Sequence, residues 1–250
     1  MYSASKEMES VIMSTQMVFK RYEMKYLLNK KQKEKVLLAM ESYMQPDQYG
    51  RSIIRNIYYD TDNYRLIRTS LEKPVYKEKL RVRSYRAASP EDMVFVELKK
   101  KYDSVVYKRR INLEERQAAA YLAGTISAPV HTQITEEIDY FLEFYQTMKP
   151  KVFLSYEREA FFSKEPGEFR VTFDENILFR EEDMSLGSEI YGEAILKPEY
   201  TLMEIKTPES IPLWMVKVLS EERINKTSFS KYGSAYQTMF VRERGESIYA

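Results

Sequence analysis

The chain has no cysteine and a single histidine, His131. Disulfides, thiolate chemistry and Cys-ligated metals are excluded by the first absence. The second leaves almost no material for Ser-His or Cys-His catalysis, or for multi-histidine metal sites. Only seven glycines occur in 250 residues, and no GxxxxGK[ST] loop is among them, so a Walker-type cradle of backbone amides is ruled out. No apolar run reaches membrane-spanning length, and the N-terminus lacks a signal-peptide pattern, which reads as a soluble cytoplasmic protein. Excess charge is missing too: 39 Lys+Arg against 38 Asp+Glu leave a formal +1. That argues against a diffuse nucleic-acid surface, which shows as a basic excess. Any cationic site must be local and balanced elsewhere.

What is present is alternation. From Lys79 to Ile111 the chain reads KLRVRSYR, MVFVELKKK and VVYKRRI. Side chains alternate sides along a strand. Lys79, Arg81, Arg83 and Tyr85 therefore share a face opposite Leu80 and Val82. Glu97 and Lys99 oppose Val94, Val96 and Leu98, and Lys108 and Arg110 oppose Val105, Tyr107 and Ile111. The same pattern recurs in VFKRYEMKYLL (Val18 to Leu28), KVFLSYEREAFF (Lys151 to Phe162), EFRVTFD and TLMEIK (Thr201 to Lys206). The Pro166-Gly167 turn makes the middle pair a hairpin.

Helices are expected after Asn29 as N-cap to about Met44, from Asn112 to Gly124, over Glu136 to Thr147, over Ile211 to Glu222, and from near Ser228 onward. Trp214 is expected in the core, and His131 in an exposed loop. Residues 1–16 read as a flexible tail or accessory helix, 17–241 as one domain, and 242–250 as a polar tail.

Collected, the polar faces supply Arg21, Lys25, Lys79, Arg81, Arg83, Lys99, Lys108, Arg110, Arg158, Arg170 and Lys206. They carry fewer acids: Glu23, Glu97, Glu168, Asp174 and Glu204. One alternative is the solvated outer face of a half-buried antiparallel sheet, but such a face mixes Thr, Ser and Gln with both charges. Another is a buried salt-bridge ladder, which requires near-equal numbers of acids and bases. Strands curled with these faces inward would form a tunnel with a cationic lumen, whose natural guest is a chain of phosphates. Residual carboxylates there would hold a divalent metal, and phosphoryl transfer needs mainly positioning and electrostatics.

The ordered set FKRYEMKY, IYYD with a downstream arginine, the RxR of LRVRSY, VELKKK, YKRRINL, SYEREAFF, FRVTFD, LMEIK and SFSKYGSAY resembles the VTC (vacuolar transporter chaperone) catalytic domain. That family lies within the triphosphate tunnel metalloenzymes, also called CYTH-like. The resemblance runs from about Phe19 to Met239. It implies an α+β fold, an antiparallel β-tunnel closed as a barrel of about eight strands with helices outside. It also implies a polyphosphate polymerase that moves the γ-phosphoryl of a nucleoside triphosphate such as ATP onto polyphosphate with Mn²⁺ or Mg²⁺.

By motif position, Lys25, Arg81, Arg83, Lys99, Lys108, Arg158 and Arg170 look like the phosphate-binding lumen, with Lys206 beside them. Arg68 looks like the arginine ahead of the RxR strand, across a longer loop here. Tyr156 looks like a lumen tyrosine that contacts phosphate. Glu204 looks like the metal ligand, and Lys231 like the lysine at the start of the last helix. Lys25, Arg81, Arg83, Arg158 and Glu204 form the implied catalytic set. The wider ExExK signature stands here as Arg21-Glu23-Lys25, which favours the VTC branch. The SPX domain and membrane helices of the eukaryotic polymerase subunits have no room in this chain.

Three other functions stand beside the polymerase: hydrolysis of tripolyphosphate or nucleoside triphosphates in the same tunnel, a non-catalytic polyphosphate-binding module, and RNA binding. The last is disfavoured because most aromatics fall on apolar faces, away from the cations.

Overall fold

The structure, a computed structural model, describes residues 22–103 and 105–243. Arg21, with residues 18–20 at the start of the strand expected from Val18, and the tails 1–16 and 244–250, lie outside the described residues.

The alternating stretches become long antiparallel strands. In chain order the elements are β1 (Tyr22–Asn29), α1 (Lys30–Met40), β2 (Met44–Pro46), β3 (Ser52–Asp60), α2 (Arg65–Leu71), β4 (Tyr76–Ser84), β5 (Met93–Tyr102), β6 (Val105–Glu114), α3 (Glu115–Leu122), α4 (Gln133–Tyr145), β7 (Lys149–Ser163), β8 (Arg170–Arg180), β9 (Glu193–Ala194), β10 (Tyr200–Thr207), α5 (Leu213–Glu221), β11 (Lys226–Thr227) and α6 (Lys231–Glu243). The sheet runs β11-β1-β10-β8-β7-β3-β4-β5-β6, with β2 added on β7 and β9 on β8. Every pairing is antiparallel.

Among the described residues no ladder joins the two ends of this path, so the tunnel is a curled sheet rather than a hydrogen-bonded closed barrel. Side chains span the gap instead: Lys99 on β5 reaches Glu23 on β1 at 3.3 Å, and Lys79 on β4 donates to Ser230 at 3.1 Å. Curling is helped where β7 and β8 slip register beside Ser155/Glu157. There Asn176 of β8 takes φ 48°, the geometry of a bulge that bends a strand.

The outer face is apolar and roofed by helices. α3 and α4 cover β4–β6 through Leu80, Val96, Leu98, Ile111, Ala118 and Ile138. α1 and α5 cover β1, β8 and β10 through Leu28, Val36, Met203, Ile205 and Met215. Asn29 caps α1 as expected, in a reciprocal box with Gln32. α6 is placed differently. Its Tyr232, Ala235 and Met239 pack on Ile54, Tyr58, Leu154 and Tyr156, which belong to the inner face, so this helix stoppers one end of the tunnel.

Several boundaries move. β6 continues through Asn112 to Glu114, so α3 begins three residues later than expected. α1 ends at Met40, because residues 44–46 are drawn into pairing with β7. α6 starts at Lys231 and extends through 243 into the expected tail. Trp214 is partly buried rather than central, stacked on Tyr43 at 4.6 Å and edge-on to Phe169. His131 is exposed in its loop.

Candidate functional site

The inner face encloses a cavity of about 1130 Å³. Among the described residues, eight lysines and arginines line it against three carboxylates, Glu23, Asp47 and Glu97. Arg81, Arg83, Lys99, Lys108, Arg158, Arg170 and Lys206, all expected in the lumen, are among those eight; the eighth is Arg110. Strand register explains the convergence. Arg81 stands opposite Glu97, Glu97 opposite Arg110, Lys99 opposite Lys108, and Arg158 opposite Asp174.

The acids are shared. Glu97 is 1% exposed and serves three cations: Arg81 Nε and Nη2 donate at 2.8 and 2.7 Å, Lys108 Nζ lies at 2.7 Å and Arg110 Nε at 2.8 Å. Burial pushes its carboxyl up, but Arg81, Arg83, Lys108 and Arg110 together hold it well below the usual range. Asp174 is fully buried and takes a two-pronged contact from Arg158, at 2.6 and 2.7 Å, plus Lys231 at 2.5 Å. Glu204 faces Lys231 at 3.1 Å, Lys25 and Arg158 at 3.6 Å, and Lys206 at 3.7 Å. Against its burial, these cations keep its carboxyl well below the ordinary value. A salt-bridge network therefore exists, but each acid is spread over several bases and cationic character remains.

The lysines show that excess. Burial, only partly offset by Glu97, depresses Lys108 to about 7. Burial, only partly offset by Glu204 and Glu23, brings Lys206 to about 8. Lys231 goes the other way: burial pushes it down, but Asp174 and Glu204 outweigh this and raise it.

Tyr156 is buried, accepting from Arg83 Nη2 at 3.0 Å, with Lys231 4.5 Å and Arg158 5.1 Å from its ring centre. Arg83 also donates to Asn56 Oδ1 at 2.9 Å. Tyr156 thus aims Arg83 from behind the cavity wall. Lys25 lies in the same layer, donating to the Phe229 carbonyl at 2.8 Å.

Several expectations fail. Lys25, Tyr156 and Lys231, expected to contact phosphate, are not among the residues that line the cavity. α2 turns Leu66, Ile67 and Ser70 inward. Arg68 therefore points out, is exposed, and donates to the Asn63 carbonyl at 3.4 Å; it is not among the residues that line the cavity. Glu168 precedes β8 and is exposed, so it is not an inner-face acid. The separation of aromatics from cations is also incomplete. Tyr85, Phe95 and Phe162 line the cavity, with Arg110 4.2 Å from the centre of Phe95 and Arg170 4.4 Å from that of Phe162. Strand parity carried the signal for these rings, since Phe95 shares parity with Glu97 and Lys99. The Gln45–Gly50 loop, with Asp47 3.4 Å from Arg170, had no such signal.

Among the described residues, no three acidic or histidine side chains converge as a metal cage. A Mg²⁺-type ion needs only one or two carboxylates when substrate phosphates complete its shell. Glu204, on the inner face of β10, is a carboxylate of the right kind, ringed by Lys231, Lys25, Arg158 and Lys206 and set outside the cavity lining.

A family model described as "VTC domain" matches residues 20–240. No curated protein sequence matches the chain. Among solved structures it is similar to a candidate adenylate cyclase from Bacillus halodurans, at 16% identity over 83% of this chain and 92% of that one, with a TM-score of 0.52. It is also similar to a Hippeastrum protein, a candidate adenylyl cyclase with a dominant triphosphatase activity, at 15% identity over 91% and 97%, with a TM-score of 0.49. At 16% identity the likeness to the Bacillus halodurans structure is one of fold. No helix among the described residues is long and apolar enough to cross a membrane.

Proposed function

Because the chain belongs to the VTC domain family, we propose that it is a polyphosphate polymerase-like phosphotransferase acting on a nucleoside triphosphate, with ATP the expected donor. The observation that carries this reading is the cavity wall, where, among the described residues, eight cations face three carboxylates. A multiply charged anion supplies the missing negative charge.

In the reaction, a terminal oxygen of polyphosphate attacks the γ-phosphorus. The bond from that phosphorus to the β–γ bridging oxygen breaks, and nucleoside diphosphate leaves. Arg81, Arg83 and Arg158 hold the phosphates through planar donors and meet the charge that develops on their oxygens. Lys99, Lys108, Arg170 and Lys206 extend the track along the wall. Lys25 and Lys231 fix Glu204 and Asp174 at the layer nearest α6. Glu204 is the residue that would hold a Mn²⁺ or Mg²⁺, which would supply further positive charge against that developing charge.

The test is incubation of the pure protein with ATP and Mn²⁺, followed by sizing of the phosphate product. Long chains are expected. Orthophosphate alone would make the protein a hydrolase, and tight polyphosphate binding without turnover would make it a binding module. Glu204→Gln is expected to abolish metal-dependent turnover and to leave polyphosphate binding at least as tight, since it releases cations toward the cavity. Undiminished turnover would remove Glu204 from the site.

A further inference from the structure

Lys79 belongs neither to the carboxylate-linked network nor to the residues assigned a phosphate above. It sits on the inner face of β4, two residues before Arg81, and stands opposite Lys99 in register; both of these neighbours line the cavity, and Lys79 lies just beyond its lining. Its Nζ donates to Ser230 Oγ at 3.1 Å, at the start of α6. Among the described residues it makes no ion pair.

The charges that act on it most strongly are all of its own sign: Lys99 from β5, Lys25 from β1, and Lys77 and Arg81 from β4. Lys101 stands opposite Lys77 in register, and Lys73 adds to the charge felt by Lys77. The acids on this side are committed. Glu23 on β1 holds Lys25 and Lys99 at 3.6 and 3.3 Å. Glu204 is shared among Lys25, Arg158, Lys206 and Lys231, and Asp174 between Arg158 and Lys231. From β3, Tyr58 gives its hydroxyl to Arg81 as an acceptor at 3.0 Å. Like charges gathered in this way find relief either by losing a proton or by gaining an anion. In the anion-free protein the first route operates: burial, then Lys99, Lys25 and Lys77, push the Lys79 ammonium down to about 7.

We propose that Lys79 is a further phosphate-binding residue and that it takes up a proton as the anion binds. This rests on the reading of the tunnel as a polyphosphate site. An anion beside Lys79 restores its ammonium toward the ordinary lysine value of about 10.4. Between about 7 and that value, binding at constant pH therefore draws a proton from solution. In that window affinity falls as pH rises, by up to about tenfold per unit for each proton taken up. Below it, Lys79 is already charged and contributes no uptake. Lys108 and Lys206 shift in the same direction, so the diagnostic quantity is the difference between proteins rather than the total.

The experiment is calorimetric titration of the full chain, without metal, with long-chain inorganic polyphosphate, whose internal phosphates carry no proton in this range. It is run at about pH 8.5 in two buffers of different ionisation enthalpy. The wild type is expected to take up protons. Lys79→Arg keeps the charge but cannot titrate here, so it should take up close to one proton fewer per occupied tunnel, with affinity that falls less steeply with pH. Lys79→Met should bind several-fold more weakly at about pH 6.5, where the wild-type lysine is charged. An unchanged proton count in Lys79→Arg, or unchanged affinity in Lys79→Met, overturns the inference. Failure of the wild type to bind polyphosphate would instead remove the polyphosphate reading itself.

Discussion

Glu97 does more than any other single residue to order the cationic wall. One buried carboxylate holds Arg81, Lys108 and Arg110, three cations that would otherwise repel one another. Glu97→Gln leaves them facing a neutral amide. The expected cost is about 3 kcal/mol, the low end for breaking a buried pair, because all three cations also face the cavity. Urea unfolding measures this, and it should be repeated with polyphosphate bound. The gap to wild type should narrow with the anion, which then takes over the counter-charge. A gap that persists unchanged would mean these cations do not reach the anion. Glu97 was visible in the sequence as an acid on a basic face, but its three partners were not, because they come from β4 and β6 and depend on register.

At the scale of elements, α6 decides that the tunnel has one stoppered end. Its anchor is Asp60 at the end of β3. This side chain is fully buried and accepts from the backbone N–H of Thr61, Leu66 and Ile67 at 2.8, 2.9 and 3.0 Å, and from the Tyr232 hydroxyl at 2.9 Å. One carboxylate thus ties β3, the first turn of α2 and α6 together. Asp60→Ala strands these donors, and each unsatisfied buried group costs about 1–3 kcal/mol, so severe loss of stability is expected. Tyr232→Phe leaves the backbone donors satisfied and should lose only about 1.5–3 kcal/mol, the worth of a single bond to a charged acceptor. Denaturant midpoints separate the two, and equal costs would refute the anchoring role of the backbone bonds. The sequence announced an amphipathic last helix. It could not say that the helix packs on the inner face rather than on the roof, because apolar stripes do not name their partners.

For the whole molecule, near-neutral net charge conceals an inward polarisation, and pH exposes it. Glu97, Asp174 and Glu204 are all held below their ordinary values, and Glu23 is lowered to about 2 chiefly by Lys99. A carboxylate with a depressed folded value adds stability that is complete above the unfolded value and is lost as pH falls through the folded one. Asp60 and Glu115, both raised by burial, work in the opposite sense, but these four lowered carboxylates outweigh them. Thermal midpoints should therefore hold nearly level from neutral pH to about 5, then drop steadily below about 4. A midpoint that stays flat or rises through that lower range would contradict the shared-acid network.

The alternating stretches determined by themselves that this chain would build a sheet with an apolar face and a basic one. Period-two alternation is a local property of the backbone and needs no partner to be read. It placed Arg81, Arg83, Lys99, Lys108 and Arg158 on the right face, and Glu204 among them. Only the tertiary structure decided how the sheet curls, leaving a seam bridged by Lys99 and Glu23 rather than a closed ladder. It alone turned Arg68 away from the cavity, and it alone left Lys79 among like charges beside Ser230. These outcomes hang on contacts such as Lys25 to Phe229, 204 residues apart. Strand order and curvature set such contacts, and neither is written in any local stretch.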